Sequence, residues 1–288
     1  MYDTRQRAVA LLSGLVCHAS FVLGIAMMIG GLYFGMRPGR GPFHGAAAVA
    51  ADTVLALQFV VLHSVLLSER GSRWLARLVP FGLGRDLATT TYATVASWQL
   101  ILTFGAWSPI GPVWWQPHGA LWVPFTVAYT AAWLLVLKTM SDSGLPVQSG
   151  FLGWGSVVRG RAPAFAPFAV RGSFRYVRQP IYLAFSLTLW TAPVWTPDRL
   201  LLAISWTLYC VVGPVLKERR YLRHYGSQFQ RYRARVPYWV PTLRAFDPGD
   251  GIGGLPSVLK LARLLRKCPK WPGSGHSHKL YALCKARA

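Results

Sequence analysis

Acidic residues are scarce in this chain. Nine Asp and Glu stand against 31 Lys and Arg in 288 residues, and Glu69 and Glu218 are the only glutamates. Charge of both signs reaches only 14%, where a soluble domain carries roughly 25%. That shortage excludes an ordinary water-facing surface. Cysteine is also sparse. Cys17, Cys210, Cys268 and Cys284 contain no C-x-x-C pair, so no disulfide framework or zinc site is readable. Cys17 and Cys210 fall in apolar runs and read as small fillers. No phosphate-binding glycine loop, dinucleotide fingerprint or nucleophile elbow occurs. No small-residue cleavage site closes the first apolar run, which excludes a short secretory leader there.

What the chain does have is apolar sequence in long uninterrupted runs. Hydrophobic residues make up 53%, and the mean hydropathy is +0.32. A membrane-spanning helix needs about 20 apolar residues. Runs over about 8–33, 46–67, 87–107, 121–140, 181–195 and 199–216 meet or approach that length. The expected architecture is an all-α integral membrane protein of about six transmembrane helices, the last two a tight hairpin at the short edge of spanning length. Arg5 and Arg7, Arg70 to Arg85, Arg159 to Arg178 and Lys217 to Arg223 fall on one side of this arrangement. The alternate loops are poorer in positive charge, with Asp198 and Arg199 in the last. The bias places both termini in the cytoplasm. The net charge of +22 then faces anionic lipid headgroups rather than nucleic acid.

Two polar clusters flank the hairpin. The first runs Arg175-Tyr176-Val177-Arg178-Gln179-Pro180-Ile181-Tyr182. Pro180 suits the first turn of a helix, which puts Gln179 near its N-cap. The helix's N–H groups and positive dipole end suit an anion such as a carboxylate. The alternative is that Arg175 and Arg178 merely anchor the helix at the headgroups, with Tyr176 and Tyr182 in an aromatic belt. The second cluster is Lys217-Glu218-Arg219-Arg220. Glu218 either binds a ligand's ammonium or hydroxyls or forms an internal ion pair with Arg219, Arg220 or Arg178. Gly213-Pro214 is expected to bend the sixth helix just before it. Tyr225, Phe229 and Tyr232 follow at helical spacing, as an interfacial stripe or as a lid over a flat ring. His18, His63 and Asp52 lie within spans without metal-ligand spacing, and both histidines read as hydrogen-bonded packing residues. Ser141 to Gly172 reads as a Gly- and Pro-rich connector. The stretch 255–267 reads as a basic amphipathic helix or as part of a disordered tail.

This arrangement resembles the isoprenylcysteine carboxyl methyltransferase superfamily of membrane methyltransferases. Those proteins carry Arg-His-Pro-x-Tyr-x-Gly, a hairpin, a Glu-Glu or Glu-Arg pair, then an aromatic-Gly-x-x-aromatic-x-x-Tyr segment and a late Pro. The matching residues are Arg178, Pro180 and Tyr182, Glu218-Arg219, Tyr225-Gly226, Phe229, Tyr232 and Pro241. Leu62-His63-Ser64-Val65, Arg73-Trp74, Leu78-Val79-Pro80, Ser143-Gly144-Leu145, 165–168, Thr191-Ala192-Pro193 and Thr196 look like the methanethiol S-methyltransferase branch, near relatives of NnrU-type membrane proteins. The likeness covers about 8–241. It departs from the motif at Gln179 for histidine, Ala184 for glycine and Lys217 for the first glutamate.

Three regions are expected: a four-helix scaffold over 1–140, a methyltransferase core over 141–241, which the resemblance furnishes with a cytoplasmic C-terminal cofactor-binding segment, and, from composition alone, a basic, Gly- and Pro-rich flexible tail over 242–288. The resemblance implies an S-adenosylmethionine-dependent enzyme of a bacterial inner membrane acting on a small lipophilic thiol that enters from the bilayer. Cofactor contacts would come from Val177, Arg178, Gln179, Pro180, Tyr182, Glu218 and Arg219, with Tyr225, Phe229 and Tyr232 around the adenine. Phe185, Leu189 and Trp190 would wall the thiol pocket. Two other readings stay open: the same fold with another acceptor, such as a prenylcysteine carboxylate or an amine, and a non-catalytic NnrU-like membrane protein.

Overall fold

The computed structural model describes residues 2–247. The expectation for 255–267 therefore lies outside the described residues. Nine α-helices form among those described: α1 Thr4–Tyr33, α2 Gly45–Leu66, α3 Glu69–Arg77, α4 Ala88–Gly105, α5 Trp122–Gln148, α6 Phe151–Val158, α7 Pro180–Thr191, α8 Pro197–Tyr225 and α9 Ser227–Arg235. Helix α1 starts at a capping box. Asp3 accepts from the Gln6 backbone N–H at 2.7 Å, and the Gln6 side chain accepts from the Asp3 N–H at 3.1 Å.

Among the described residues, four helices are long and apolar enough to cross a membrane: α1, α2, α5 with the turn before it, and α8. Their exposed faces carry Leu12, Val22, Val54, Val123 and Leu208, the side chains a hydrocarbon surround favours. Helix α4 has 18 residues and α7 has 12. At 1.5 Å per residue they cover about 27 and about 18 Å.

Small residues set the closest helix contacts, as expected where lipid offers no hydrophobic drive between helices. A Cβ added at Gly31 of α1 would meet Phe104 Cδ1 of α4 at 2.5 Å, and one at Gly24 would meet the Ser97 carbonyl at 3.0 Å. Side-chain amides join α2 to α4. Gln58 Nε2 donates to Thr103 Oγ1 at 2.9 Å, and Gln99 Nε2 donates to Gln58 Oε1 at 3.1 Å.

Three expectations are corrected. The stretch after the fourth apolar run is not an irregular connector throughout. Helix α5 continues through a break at Gly144, whose φ of 101° only glycine adopts readily, and α6 follows before the chain becomes irregular near Arg159. The sixth apolar helix does not stop near Leu216. It runs through Pro214 as far as Tyr225, so Glu218 stands on the same continuous helix as the apolar run. Finally, Asp198 and Arg199 are not loop charges; both are fully buried.

Those two residues build the end of the bundle away from Glu218. Twenty residues of α8 separate Asp198 from Glu218, about 30 Å along the axis. Asp198 Oδ1 accepts from the Trp107 indole and the Ile110 N–H, both at 2.9 Å. The Arg199 guanidinium donates to the carbonyls of Leu189 (3.0 Å) in the last turn of α7 and of Ala192 and Val194 (2.7 Å) just beyond it. It also lies 3.9 Å from the centre of the Trp195 ring. Asp52 accepts from the Ser108 N–H at 3.0 Å.

Candidate functional site

The site is built where α7 begins. Pro180 occupies the first helical turn, and Gln179 precedes it without capping the helix through its side chain. That side chain, 1% exposed, turns instead toward α8. Gln179 Nε2 donates to Glu218 Oε1 at 2.8 Å, and Gln179 Oε1 accepts from Lys217 Nζ at 2.9 Å. Arg178 Nη1 lies 3.4 Å from the other carboxylate oxygen, and Arg233 Nε from α9 lies 3.7 Å from it. Gln179, Arg178 and Arg233 thus share the two oxygens of a carboxylate about 40 residues after the first two. Three cations, Arg178, Lys217 and Arg233, surround one carboxylate beside a helix N-terminus. The surplus of positive charge and the free N–H groups of α7 favour an anionic group there. Arg178 Nε is buried with no partner.

The chain after α9 holds this arrangement together. Residues 237–246 run beside 174–178: Arg178 N–H donates to Pro237 O at 2.9 Å, Thr242 N–H to Tyr176 O at 2.9 Å and Phe246 N–H to Arg175 O at 2.8 Å. The Tyr232 hydroxyl donates to Phe174 O at 2.8 Å. Burial holds the Tyr232 phenol above the ordinary tyrosine range. On the connector side, Asp142 of α5 accepts from the Ser173 N–H at 2.8 Å. Helices α5, α8 and α9 therefore all constrain the turn before α7.

The expected site residues divide into groups. Val177, Arg178, Gln179, Pro180 and Glu218 come together, all buried or nearly so. Tyr182 sits one turn into α7 with Lys217 Nζ 5.2 Å from its ring centre. Arg219 is exposed on the other side of α8. Gly226, with φ of 50°, ends α8, so Tyr225 closes α8 while Phe229 and Tyr232 stand on α9. These three rings meet around Phe168 from the connector, at centroid distances of 5.0, 6.0 and 5.8 Å. Of the pocket-wall residues, Phe185 packs 5.9 Å from Trp206, and Leu189 is fully buried. Trp190 is 43% exposed and donates to Thr207 Oγ1 at 2.8 Å.

Sequence reasoning did not place Lys217, Arg233 or Phe168 in the site. Lys217 was visible only as a departure from a motif, and its position next to Glu218 was the available signal. Arg233 is one of several arginines in α9, and nothing in its spacing distinguishes it. One of the two membrane histidines differs from expectation. His18 Nδ1 lies 3.1 Å from Gly14 O, but His63 Nδ1 is buried without a partner. Next to the site, α3 and α8 enclose a cleft of about 390 Å³ lined by Glu69, Arg220, Tyr221, Arg223, His224 and Tyr225.

The molecule is thus an all-helical, multi-pass membrane type with a cation-rich polar site at the start of a short helix. No protein-family model matches the chain, and no solved structure matches it. Curated proteins do. Methanethiol S-methyltransferase of Mycobacterium tuberculosis is 31% identical over 199 residues, covering 67% of this chain and 78% of that protein. Methanethiol S-methyltransferase 1 of Bradyrhizobium diazoefficiens is 29% identical over 242 residues, covering 82% and 84%. Nurim of Mus musculus is 32% identical over 198 residues, covering 64% and 72%. The chain belongs to the family of membrane proteins that contains the methanethiol S-methyltransferases and nurim, the branch its own motifs resemble.

Proposed function

We propose that this protein is an S-adenosylmethionine-dependent membrane methyltransferase that methylates a small thiol, converting methanethiol to dimethyl sulfide. The observation that carries this reading is the meeting of Arg178, Gln179 and Glu218 at the N-terminus of α7. The residues present fit the donor's charges. Its carboxylate suits the cationic N-terminal end of α7 with Arg178 and the backbone of Val177 and Gln179. Its ammonium or ribose hydroxyls suit Glu218, with Tyr182 of α7 nearby; Arg219, exposed on α8, would have to turn inward to join them. The unpartnered Arg178 Nε is a further buried donor. Tyr225, Phe229 and Tyr232 would take the adenine once Phe168 gives way. Phe185, Leu189 and Trp190 would bound the thiol.

When bound, S-adenosylmethionine supplies an electrophilic methyl on a sulfonium. The chain's own contribution is alignment and exclusion of water. A thiolate and a sulfonium cancel each other's charge as they react, so a dry, membrane-embedded site favours the forward direction. Good alignment alone corresponds to effective molarities of about 10⁵ M or more. Gln179 carries no proton to transfer, and its amide instead fixes the spacing of Lys217 and Glu218. We place six helices across a bacterial inner membrane, counting α4 and α7, with both termini and the Arg178–Glu218 site in the cytoplasm, following the charge bias.

The test uses the protein purified in lipid nanodiscs. Titration calorimetry reads S-adenosylmethionine binding, and headspace chromatography reads dimethyl sulfide after methanethiol is added. Binding with dimethyl sulfide formation supports the proposal. Binding without it points to another acceptor. No binding points to a non-catalytic role, which the substitution at Gln179 favours as the second reading.

A further inference from the structure

A histidine in a membrane-crossing helix is costly unless it is used. His63 is one turn from the end of α2, and its Nδ1 is buried with no hydrogen-bond partner. The ring is nevertheless held firmly. Phe59, one turn earlier on α2, stacks on it at 4.9 Å. Tyr92 from α4 lies 5.1 Å away, and Tyr209 from α8 stands edge-on at 6.3 Å. The Tyr92 hydroxyl bonds to the His63 backbone carbonyl at 3.4 Å and not to its imidazole. Among the described residues His63 makes no ion pair. A fixed imidazole with a free nitrogen is a group awaiting a hydrogen-bonding ligand.

Its position joins it to the site. Tyr209 is 6.4 Å from Tyr182, and Tyr182 lies under Lys217, whose ammonium bonds to Gln179. The aromatic row from His63 through Tyr209 and Tyr182 therefore leads to the Gln179–Glu218 pair. On the other side, Leu62 and Val65 beside His63 are 45% and 51% exposed on the face of α2 that would meet lipid. His63 thus stands on a helix whose outer face is apolar, with its own ring turned inward toward α4 and α8.

Resting on the methyltransferase reading above, we infer that His63 is the catalytic base for the thiol acceptor. The thiol S–H proton passes to His63 Nδ1. The sulfur's electron pair forms the new bond to the donor methyl, the old methyl–sulfonium bond breaks, and its pair stays on the departing sulfur as a neutral thioether. The imidazolium then loses its proton to water. The donor is the sulfonium already named, so no oxidant or reductant is required.

The experiment compares ethanethiol with 2,2,2-trifluoroethanethiol, a thiol of similar size that ionises far more readily. A base matters for the first and little for the second. General-base assistance contributes about 10²–10⁴-fold. His63→Asn is therefore expected to slow methylation of ethanethiol about 100-fold or more, and of the fluorinated thiol less than about tenfold. His63→Gln serves as a second variant, and unchanged S-adenosylmethionine affinity in both shows an intact donor site. An independent reading needs no turnover: adding ethanethiol to the cofactor-free protein should shift the His63 imidazole ¹⁵N resonance. Equal losses for the two thiols in both variants, or an unmoved resonance, would overturn the assignment of His63 while leaving the methyltransferase intact. A wild-type protein that methylates neither thiol would instead overturn the methyltransferase reading itself.

Discussion

Glu218 divides its two oxygens between different elements. One accepts from Gln179 at the start of α7, and the other faces Arg178 and Arg233. Gln179 uses both ends of its amide, donating to Glu218 and accepting from Lys217. Gln179→Leu would leave both partners unsatisfied, at about 1–3 kcal/mol for each buried group. Donor affinity should then fall about tenfold or more, since about 1.4 kcal/mol is a factor of ten. Gln179→His keeps one donor and one acceptor on the ring and should lose less than about threefold. Calorimetry on the two variants decides it; equal losses would mean that Gln179 only fills space. At this scale the sequence was half legible. Arg178 and Glu218 stood out as a motif pair and as one of only two glutamates. The pairing of Lys217 with Gln179 did not, because a lysine in place of a glutamate reads as loss of a site residue. Only the fold shows it pointing at a neutral amide.

The elements that position the site are joined by backbone and ring contacts that no periodicity announces. The antiparallel run of 237–246 beside 174–178 hangs on single hydrogen bonds, and Tyr232 ties α9 to it through Phe174. The Tyr232 phenol is held above its ordinary range by burial, so the folded state favours the neutral form. Its stabilisation is complete below the unfolded value of about 10 and is lost as pH rises through the higher folded value. Thermal unfolding between pH 8 and 11 should show this. Tyr232→Phe should lower stability at pH 8 by about 1 kcal/mol, and the gap to wild type should close as the pH rises. A constant gap would mean that the phenol titrates alike in both states. The α8–α9 break was legible at Gly226, which sits in a left-handed conformation that glycine adopts at little cost. Helix α6 was not, because its Gly-x-x-Gly-x-Gly sequence reads as a connector. Trp154 and Val157, which pack it against the first helix's end, become significant only once the bundle exists.

Across the whole molecule, the apolar runs foretold most of the helices, and the two ends of the bundle are polar for different purposes. The end near Glu218 gathers positive charge around one carboxylate. The other end buries Asp198 and Arg199, which were read as turn residues because a short charged pair after a proline looks like a loop. The apolar run that ends at Trp195 likewise looked like one helix, whereas α7 stops at Thr191 and residues 192–195 are held by Arg199. Hydrophobicity alone does not reveal a stop enforced by a side chain from the following helix.

That stop bears on how the protein answers to its lipids. A helix of about 18 Å is far shorter than a hydrocarbon core of about 30 Å. A short segment ordinarily makes the leaflets thin around it, at a fraction of a kcal/mol per ångström. Here the terminal carbonyls of α7 find donors on Arg199, so they can rest at hydrocarbon depth without reaching for water. Melting temperature should therefore stay nearly level as the protein is moved from vesicles with fourteen-carbon acyl chains to vesicles with twenty. Arg199→Lys cannot span three carbonyls with its single ammonium, and its melting temperature should fall as the chains lengthen. The guanidinium thus makes α7 indifferent to bilayer thickness.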